Sequence, residues 1–561
     1  LVGTEHSGTF YFSFGGIREA EQEEGSLEAR MSPLRLRSEV LFAAVLAAIT
    51  LVAYLPAIHG GFVWDDDAYV SQNPLLTADD GLRRIWFSTD QPSQYFPLVY
   101  TTFRVEHAIW GLDPTGYHVT NILLHVVNAL LIAHLLARLK VPHARLAAAV
   151  FALHPVQVES VAWITERKNV LMTVFLALSA HGWLSAIDAE PGSVRQRPAY
   201  LGSFGSFVLA LFAKTTACTF PAAQIVMLAL RRKPLDRAAA VRIAPFAAWG
   251  LAMGLLTMWW ERHHQGTRPE ALPLPILERI ILVPRSILFS LKTLFWPVGL
   301  SFSYPRWHLD PGSAIQWLPL LALVALGIAL WRLTPRLGRG PAAAGFFYGA
   351  TLLPTSGAIL LATFVYSFVA DHYQYLACIG PIALIVAAAG SRVVRRFGKR
   401  NGAVLAGLLL ATLAAATWNR AHAFVGPEAL WRDTLAKNPE SWLAENDLGT
   451  WLHTLHRADE AIAHLTRAIA IEEAGGHVWG RTLYDLGNVL AAERRFAEAE
   501  DAYRRAIALG PADALAHNNL GNVYWAEGRV VDAATEYDEA LRIDPGLTMA
   551  RHNLERVRAS R

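Results

Sequence analysis

The sequence predicts an all-α chain, with about eleven membrane-crossing helices between residues 38 and 418 followed by a soluble array of paired helices. Three observations carry that expectation. Of the 561 residues, 53% are hydrophobic and 17% charged, with 18 tryptophans, and the apolar residues are concentrated in blocks of membrane-spanning length. The connections between these blocks alternate between basic and acidic. Past residue 420 the spacing changes to a soluble helical repeat.

Residues 1–30 contain the acidic cluster Glu19, Glu21, Glu23 and Glu24 and no apolar span. Met31 opens Met-Ser-Pro-Leu-Arg-Leu-Arg, a basic flank before the hydrophobic stretch 39–58. Met31 therefore reads as the natural start and residues 1–30 as an upstream extension; a disordered cytoplasmic tail is the alternative. Stretch 39–58 is too long for a usual signal-peptide core and lacks a small-x-small cleavage site, so it reads as a retained first helix. The membrane domain is expected over 31–420, with spans at 39–58, 118–138, 144–156, 168–186, 201–213, 216–230, 242–260, 315–333, 341–358, 375–391 and 401–418. The short ones imply shifted boundaries or broken helices. Segment 281–300 mixes Ile281, Leu282 and Phe289 with Arg285 and Lys292, and reads as an amphipathic or re-entrant helix on the outer face.

One set of connections carries Arg35 and Arg37, then Arg138, Lys140 and Arg145, then Arg231 to Lys233, then Arg332, Arg336 and Arg339, and finally Arg392, Arg395, Arg396, Lys399 and Arg400. The opposing set holds Asp65, Asp66, Asp67, Asp79, Asp80 and Asp90. The positive-inside rule makes the basic set cytoplasmic, with the N-terminus inside and the chain after 418 in a periplasm or lumen. Topology thus accounts for the basic loops, and nucleic acid is not an expected partner. Cys218 and Cys378 lie in or beside apolar spans and form no disulfide framework, metal cage or haem motif.

Gly487 and Gly521 are each followed at the same spacing by alanine, tyrosine, alanine and proline: Ala499, Tyr503, Ala506 and Pro511, then Ala533, Tyr537, Ala540 and Pro545. That is the tetratricopeptide pattern, in which small residues let two helices approach and the aromatic fills the space between them. Trp442, Leu448, Gly449, Ala461, Leu465 and Ala468 form an earlier unit, displaced by an insertion around 471–476. Asn553 and Leu554 begin a lone capping helix, so residues 421–561 are expected to hold about three repeats and a cap. Such a solenoid binds a partner on its concave face, or else stabilises or dimerises the membrane domain.

The polar groups that carry chemistry lie on the expected outer side. The first outer loop, 59–117, holds His59-Gly-Gly-Phe-Val-Trp-Asp-Asp-Asp-Ala-Tyr. Three adjoining carboxylates raise at least one proton affinity, which suits a general base; a solvated loop or a divalent-cation site uses the same residue types. Helices around 80–88 and 99–111, rich in Trp86, Phe87, Phe103 and Trp110, would anchor at the interface. His118, Asn121, His125 and Asn128 recur at helical spacing, either facing a cavity or packing against neighbouring helices. The densest motif is His154-Pro-Val-Gln-Val-Glu-Ser-Val-Ala-Trp-Ile-Thr-Glu-Arg-Lys, and Lys214 and Asp371-His372-Tyr373 fall on the same side. Lysine and arginine beside an apolar groove suit a phosphate on a lipid tail, and a nearby carboxylate suits removal of a proton from an acceptor hydroxyl. A GxxxxGK[ST] nucleotide cradle is absent, so energy would come from a lipid-activated donor.

Phe62-Val-Trp-Asp-Asp-Asp, the motif from His154 to Lys168, Phe212-Ala-Lys and Ala370-Asp-His-Tyr-Gln-Tyr-Leu, followed by the repeats, resemble bacterial relatives of the transmembrane and tetratricopeptide repeat-containing O-mannosyltransferases. The resemblance covers residues 38–555. It implies a polytopic glycosyltransferase C-type membrane fold that takes a sugar, mannose in the eukaryotic members, from a polyprenyl phosphate and places it on an extracytoplasmic protein hydroxyl. It implies catalytic roles for Asp66, ahead of Asp65, and for Glu159. Substrate-binding roles fall to Glu166, Arg167, Lys168, Lys214, Asp371, His372, Tyr373 and His154, with no metal ligand assigned. Asp371-His372-Tyr373 replaces the more usual Asp-Arg-Tyr, and Thr215 follows Lys214 where the family often has glutamate. Two other functions use much of the same sequence: glycosylation of a lipid or polysaccharide, and a non-catalytic membrane assembly subunit that recruits partners through its repeats.

Overall fold

A computed structural model describes residues 33–89, 94–264, 274–476 and 478–560. The expected extension 1–30 and Asp90 lie outside the described residues. By packing, the chain divides into two compact units, Leu1–Ala48 and Ile49–Arg561. Among the described residues all regular structure is helical. Helix α1, Pro33–Ala53, begins in the first unit and ends in the second, and its apolar window Leu36–Ala53 is long enough to cross a bilayer.

In the second unit the short α2, Leu55–Ile58, leads into the first loop, which contains α3, Gly81–Phe87, and α4, Pro97–Trp110. Asp113 then caps α5, Pro114–Arg138, by accepting from the Thr115 amide at 2.9 Å. Three short pieces follow: α6, Ala144–Leu153; a 3-10 turn opened by His154; and α7, Val158–Ala162. Trp163 and a second 3-10 turn connect them to α8, Arg167–Asp188. Helices α9, Gln196–Ala213, and α10, Phe220–Leu230, flank a 3-10 turn that begins after Lys214. Helices α11, Arg237–His264, α12, Ile276–Phe295, α13, Leu318–Leu337, and α14, Gly340–Leu352, complete the sequence before the long α15, Ile379–Ala421.

Among the described residues, six helical segments are long and apolar enough to cross a membrane, and Ala144–Leu153 and Thr215–Leu230 are shorter apolar helices. The chain is a multi-pass membrane protein by this measure. Lipid contact also explains why α13 leaves Leu321, Val324, Ile328 and Trp331 exposed, a pattern unsuited to water. The expected spans 375–391 and 401–418 fall within α15, where Gly398 (φ 78°, ψ 168°) interrupts the helical backbone in a conformation that glycine adopts readily. The segment around 281–300 is α12. It buries Ile281, Leu282, Ile287 and Leu294, and Pro284 removes one internal hydrogen-bond donor.

Past α15, helix α16, Pro427–Lys437, precedes three helix pairs: α17, Trp442–Thr454, with α18, Ala458–Ala474; α19, Gly480–Ala492, with α20, Phe496–Leu509; and α21, Ala514–Ala526, with α22, Val530–Ile543. Helix α23, Thr548–Ala559, closes the array. The conserved spacing has a steric cause. A Cβ on Gly487 would stand 2.7 Å from the Tyr503 ring, and one on Gly521 would stand 2.7 Å from Tyr537. The insertion around 471–476 lies where α18 runs to 17 residues, against 14 in α20 and α22, and Glu472 accepts from the Trp479 amide and Thr482 hydroxyl to secure the following loop. Between neighbouring inner helices, Asn519 donates to Asn488 at 2.9 Å and Asn553 donates to Asn522 at 3.1 Å.

The array is fastened to the loops that follow α12. Lys437 donates to the Leu300 carbonyl at 2.7 Å, Asn438 donates to that of Ser303 at 3.2 Å, and Trp431 packs edge-on against Phe302. Tyr366 meets Trp442 with ring centroids 5.3 Å apart.

Candidate active site

The first loop and the segment 154–169 are pinned together by Asp66. Its Oδ2 accepts from the Val63 amide at 2.9 Å, and its Oδ1 accepts from the Thr165 amide at 2.8 Å and the Thr165 hydroxyl at 2.5 Å. Asp66 is fully buried, and burial raises its pKa to about 7 despite those bonds. Asp65 faces elsewhere. Its carboxyl is influenced by Lys168, Glu166 and His372, and burial is the main reason its pKa is raised above the usual carboxylate value. The intervening backbone is unusual: Trp64 has φ 48°, rare for a bulky residue, and its ring packs on Trp163, Phe302 and Tyr366 at 5.4, 5.3 and 5.8 Å.

Glu166 organises the cations. It is 2.9 Å from Lys214, 3.3 Å from Lys168, and accepts from Asn169 at 2.6 Å. Lys168 also lies over the rings of Tyr69, Phe96 and Trp163, at 4.9, 5.9 and 5.7 Å from their centroids. Two ammonium groups thus meet at the Glu166 carboxylate, and Lys168 also acts on the Asp65 carboxyl. A cavity of about 270 Å³ is lined by Thr215 and Thr216, which follow Lys214 in the chain, and by Glu261, Arg262, Arg279 and apolar side chains.

On the other side, Glu159 accepts from the Asp371 amide at 3.2 Å and meets His372 Nδ1 at 2.5 Å. Asn169 donates to the His372 carbonyl at 2.9 Å, tying this pair to Glu166. Tyr304 donates to Asp371 at 2.8 Å, and burial beside Glu159 pushes the Asp371 carboxyl well above its ordinary range. Tyr373 pairs with the Thr363 hydroxyl at 2.6 Å.

Two of the sequence-derived residues stand apart from this group. Arg167 is fully buried between α4 and α5: it pairs with Glu106 at 2.6 Å, donates to Asn121 and to the Tyr117 carbonyl, and lies over Phe103. The resemblance implies a phosphate-side role for it; in the structure its donors reach Glu106, Asn121 and the Tyr117 carbonyl. His154 meets the Leu294 carbonyl at 2.9 Å and accepts from the Val156 amide, joining the segment to α12. Both ring nitrogens are engaged there, with the Leu294 carbonyl and the Val156 amide.

The polar stripe on α5 is likewise internal. Asn121 donates to the carbonyls of Trp163 and Ile164, His125 meets Tyr375 at 2.6 Å, and Asn128 donates to Val170 and Tyr375. Sequence reasoning missed Glu106, Asn169, Tyr304 and Glu261. A carboxylate at 106 in an otherwise apolar, aromatic helix is the one such signal, because a buried charge demands a partner. Among the described residues no group of three or more His, Cys, Asp or Glu side chains is arranged to hold a metal ion.

Models of the tetratricopeptide repeat match residues 441–512 and 484–548. A protein O-mannosyl-transferase of Caenorhabditis elegans is 32% identical over 147 residues, covering 23% of this chain and 21% of that protein. The Homo sapiens protein O-mannosyl-transferase TMTC4 is 30% identical over 167 residues, covering 25% of this chain and 22% of its own length. The matches thus span about a fifth of these curated relatives. The crystal structure of ArnT from Cupriavidus metallidurans bound to undecaprenyl phosphate is 15% identical with a TM-score of 0.35, covering 85% of this chain and 80% of that one. The chain is a multi-pass membrane protein with C-terminal tetratricopeptide repeats and a distant relative of the protein O-mannosyl-transferases.

Proposed function

We propose that the chain is a glycosyltransferase of the C type that moves a sugar from a polyprenyl-phosphate donor to a hydroxyl of an extracytoplasmic protein, with inversion at the anomeric carbon. The observation that carries this reading is the division of the acidic loop: the Asp66 carboxylate is taken up by Thr165 and Val63, while the Asp65 carboxyl lies in the electrostatic field of Lys168, Glu166 and His372. Asp65, and not Asp66, is the general base. It takes the acceptor proton as the acceptor oxygen bonds to the anomeric carbon, and the bond from that carbon to the phosphate oxygen breaks. The electron pair leaves on the polyprenyl phosphate, whose charge is met by Lys168 and Lys214. The cavity beside Lys214 supports placement of the donor's lipid-proximal part, and Glu166 holds both lysines in position.

The His372–Glu159 pair orients the acceptor side, with Asp371 held by Tyr304 and Tyr373 held by Thr363. Attachment of the repeat array to residues 300–303 and 366 supports delivery of a protein acceptor from the same face. On this reading the site and the repeats are periplasmic or otherwise extracytoplasmic, and the N-terminus is cytoplasmic. The relatives' designation as protein O-mannosyl-transferases supports mannose as the sugar. A divalent cation has no gathered ligand set among the described residues, and no step is assigned to one.

The test is intact-mass analysis of extracytoplasmic proteins that copurify through the repeats, from cells carrying the wild type, Asp65→Asn or a deletion. A hexose-sized mass lost in both altered strains supports transfer. Copurified partners that carry no sugar in any strain, yet fail to assemble only in the deletion, would replace this reading with the assembly-subunit one.

A further inference from the structure

A row of aromatic rings leads from the acidic loop onto the first helix pair of the repeats. Trp64 is 5.8 Å from Tyr366, Tyr366 is 5.3 Å from Trp442, and Trp442 stacks on Trp479 at 5.9 Å. Beside this row, α17 and α19 place Asn446, Asp447 and Asp485 together. Asn446 donates through the same amide nitrogen to Asp447 at 3.2 Å and Asp485 at 3.4 Å. Arg481 pairs with Asp485 at 3.0 Å.

Hydrogen bonding in this group is incomplete in one direction. Asn446 is 6% exposed, and its Oδ1 and the Oδ2 of Asp447 are buried without a partner among the described residues. Both bare atoms are acceptors, and two carboxylates face one guanidinium, so the group lacks donors and positive charge together. Turning the Asn446 amide over would not help, because its donors would then leave both carboxylates. Burial first, then the neighbouring Asp485 and Asp65, push the Asp447 carboxyl up to about 7.

We propose that this junction is a specificity pocket for a lysine or arginine side chain of the acceptor polypeptide, which lies extended along the Tyr366–Trp442–Trp479 row. The proposal rests on the transferase reading for its acceptor and deepens it. A cation supplies the missing donors and charge, and its apolar stem and charged head both suit the faces of aromatic rings. A neutral glycan would also stack on such rings, but it would leave the negative balance of Asp447 and Asp485 uncompensated. Two ring-to-ring steps, of 5.8 and 5.3 Å, separate Trp64, next to Asp65, from Trp442 at the start of α17. An extended chain advances roughly 3.3–3.6 Å per residue, so the basic residue falls within about four residues of the modified hydroxyl.

Binding is measured on the full chain in lipid nanodiscs without any sugar donor, by fluorescence anisotropy of short labelled peptides. Each peptide carries one threonine and, about three residues away, lysine, norleucine or glutamate. The lysine peptide should bind about tenfold more tightly than the norleucine peptide, and the glutamate peptide more weakly still. Asp447→Asn should reduce the lysine preference to about twofold or less, whereas Asp538→Asn, at the far end of the array, should leave it intact. Asp485→Asn provides a second route should Asp447→Asn fail to fold. Equal binding of the lysine and norleucine peptides overturns the proposal, as does displacement of a bound peptide by a linear neutral oligosaccharide but not by free lysine-containing peptide. Lysine-dependent binding without sugar transfer on adding donor would sink the transferase reading and leave the pocket standing.

Discussion

The repeat array and the candidate site are built from opposite kinds of order. In the repeats one contact recurs: a glycine on the inner helix faces a tyrosine on the outer helix, as Gly487 faces Tyr503 and Gly521 faces Tyr537. In the site nothing recurs, and neighbours in sequence have opposite tasks. Asp66 clamps two loops while Asp65 lies in the field of Lys168, Glu166 and His372; Arg167 is locked to Glu106 while Lys168 lies among aromatic rings beside Glu166. Periodic contacts spread the cost of an error over similar units, whereas the site concentrates it in single side chains.

Four substitutions would break or sharpen that contrast, the largest effect first. Asp65→Asn should lower sugar transfer by roughly 10²–10⁴-fold, the range for loss of a general base, with little change in thermal stability. Arg167→Met leaves Glu106 buried without its cation and should cost roughly 3–5 kcal/mol, read as loss of detergent-extractable folded protein. Gly521→Ala drives a Cβ into the Tyr537 ring and should cost about 1–3 kcal/mol, seen as local hydrogen exchange in the last two helix pairs with the membrane helices unaffected. Lys214→Gln should raise the donor KM about tenfold with a smaller change in kcat, because Lys168 and Glu166 retain half of the cation pair.

The pH dependence follows from the direction of the Asp65 shift. A base works only when deprotonated, and burial raises its pKa above the ordinary 3.8, so transfer should fall with falling pH through an acid limb lying above pH 3.8. Asp65→Glu should move that limb; a limb unchanged by the substitution would assign it to another group. Asp66 contributes in the opposite sense to stability. Its folded-state pKa is raised to about 7, so the folded chain binds more protons than the unfolded one between about 4 and 7, and this residue's contribution to stability declines as pH rises through that window.

The repeats were legible because their information is a spacing: the glycine, tyrosine and alanine positions name both helices and the contact between them. The gathering of the motifs was also legible, since residues expected on one side of the membrane, Glu159, Glu166, Lys168, Lys214 and His372, meet in the fold. Roles within it were not. In a run such as Asp65-Asp66 or Arg167-Lys168 the residue types are interchangeable on paper, and direction is decided by a positive-φ turn at Trp64 and a 3-10 turn before α8. Partners remote in sequence, such as Glu106 for Arg167 and Tyr304 for Asp371, complete the assignment. His154 illustrates the same limit, because its motif drew attention while its partner, the Leu294 carbonyl, lies in a helix of ambiguous pattern.

The most direct test is a single-turnover comparison of wild type and Asp65→Asn in nanodiscs, with polyprenyl-phosphate mannose as donor and a threonine peptide as acceptor. Donor binding is measured in the same samples. The account predicts that Asp65→Asn binds donor as the wild type does yet transfers sugar at about 1% of its rate or less. Transfer by Asp65→Asn at close to the wild-type rate would contradict it and remove Asp65 from the chemistry.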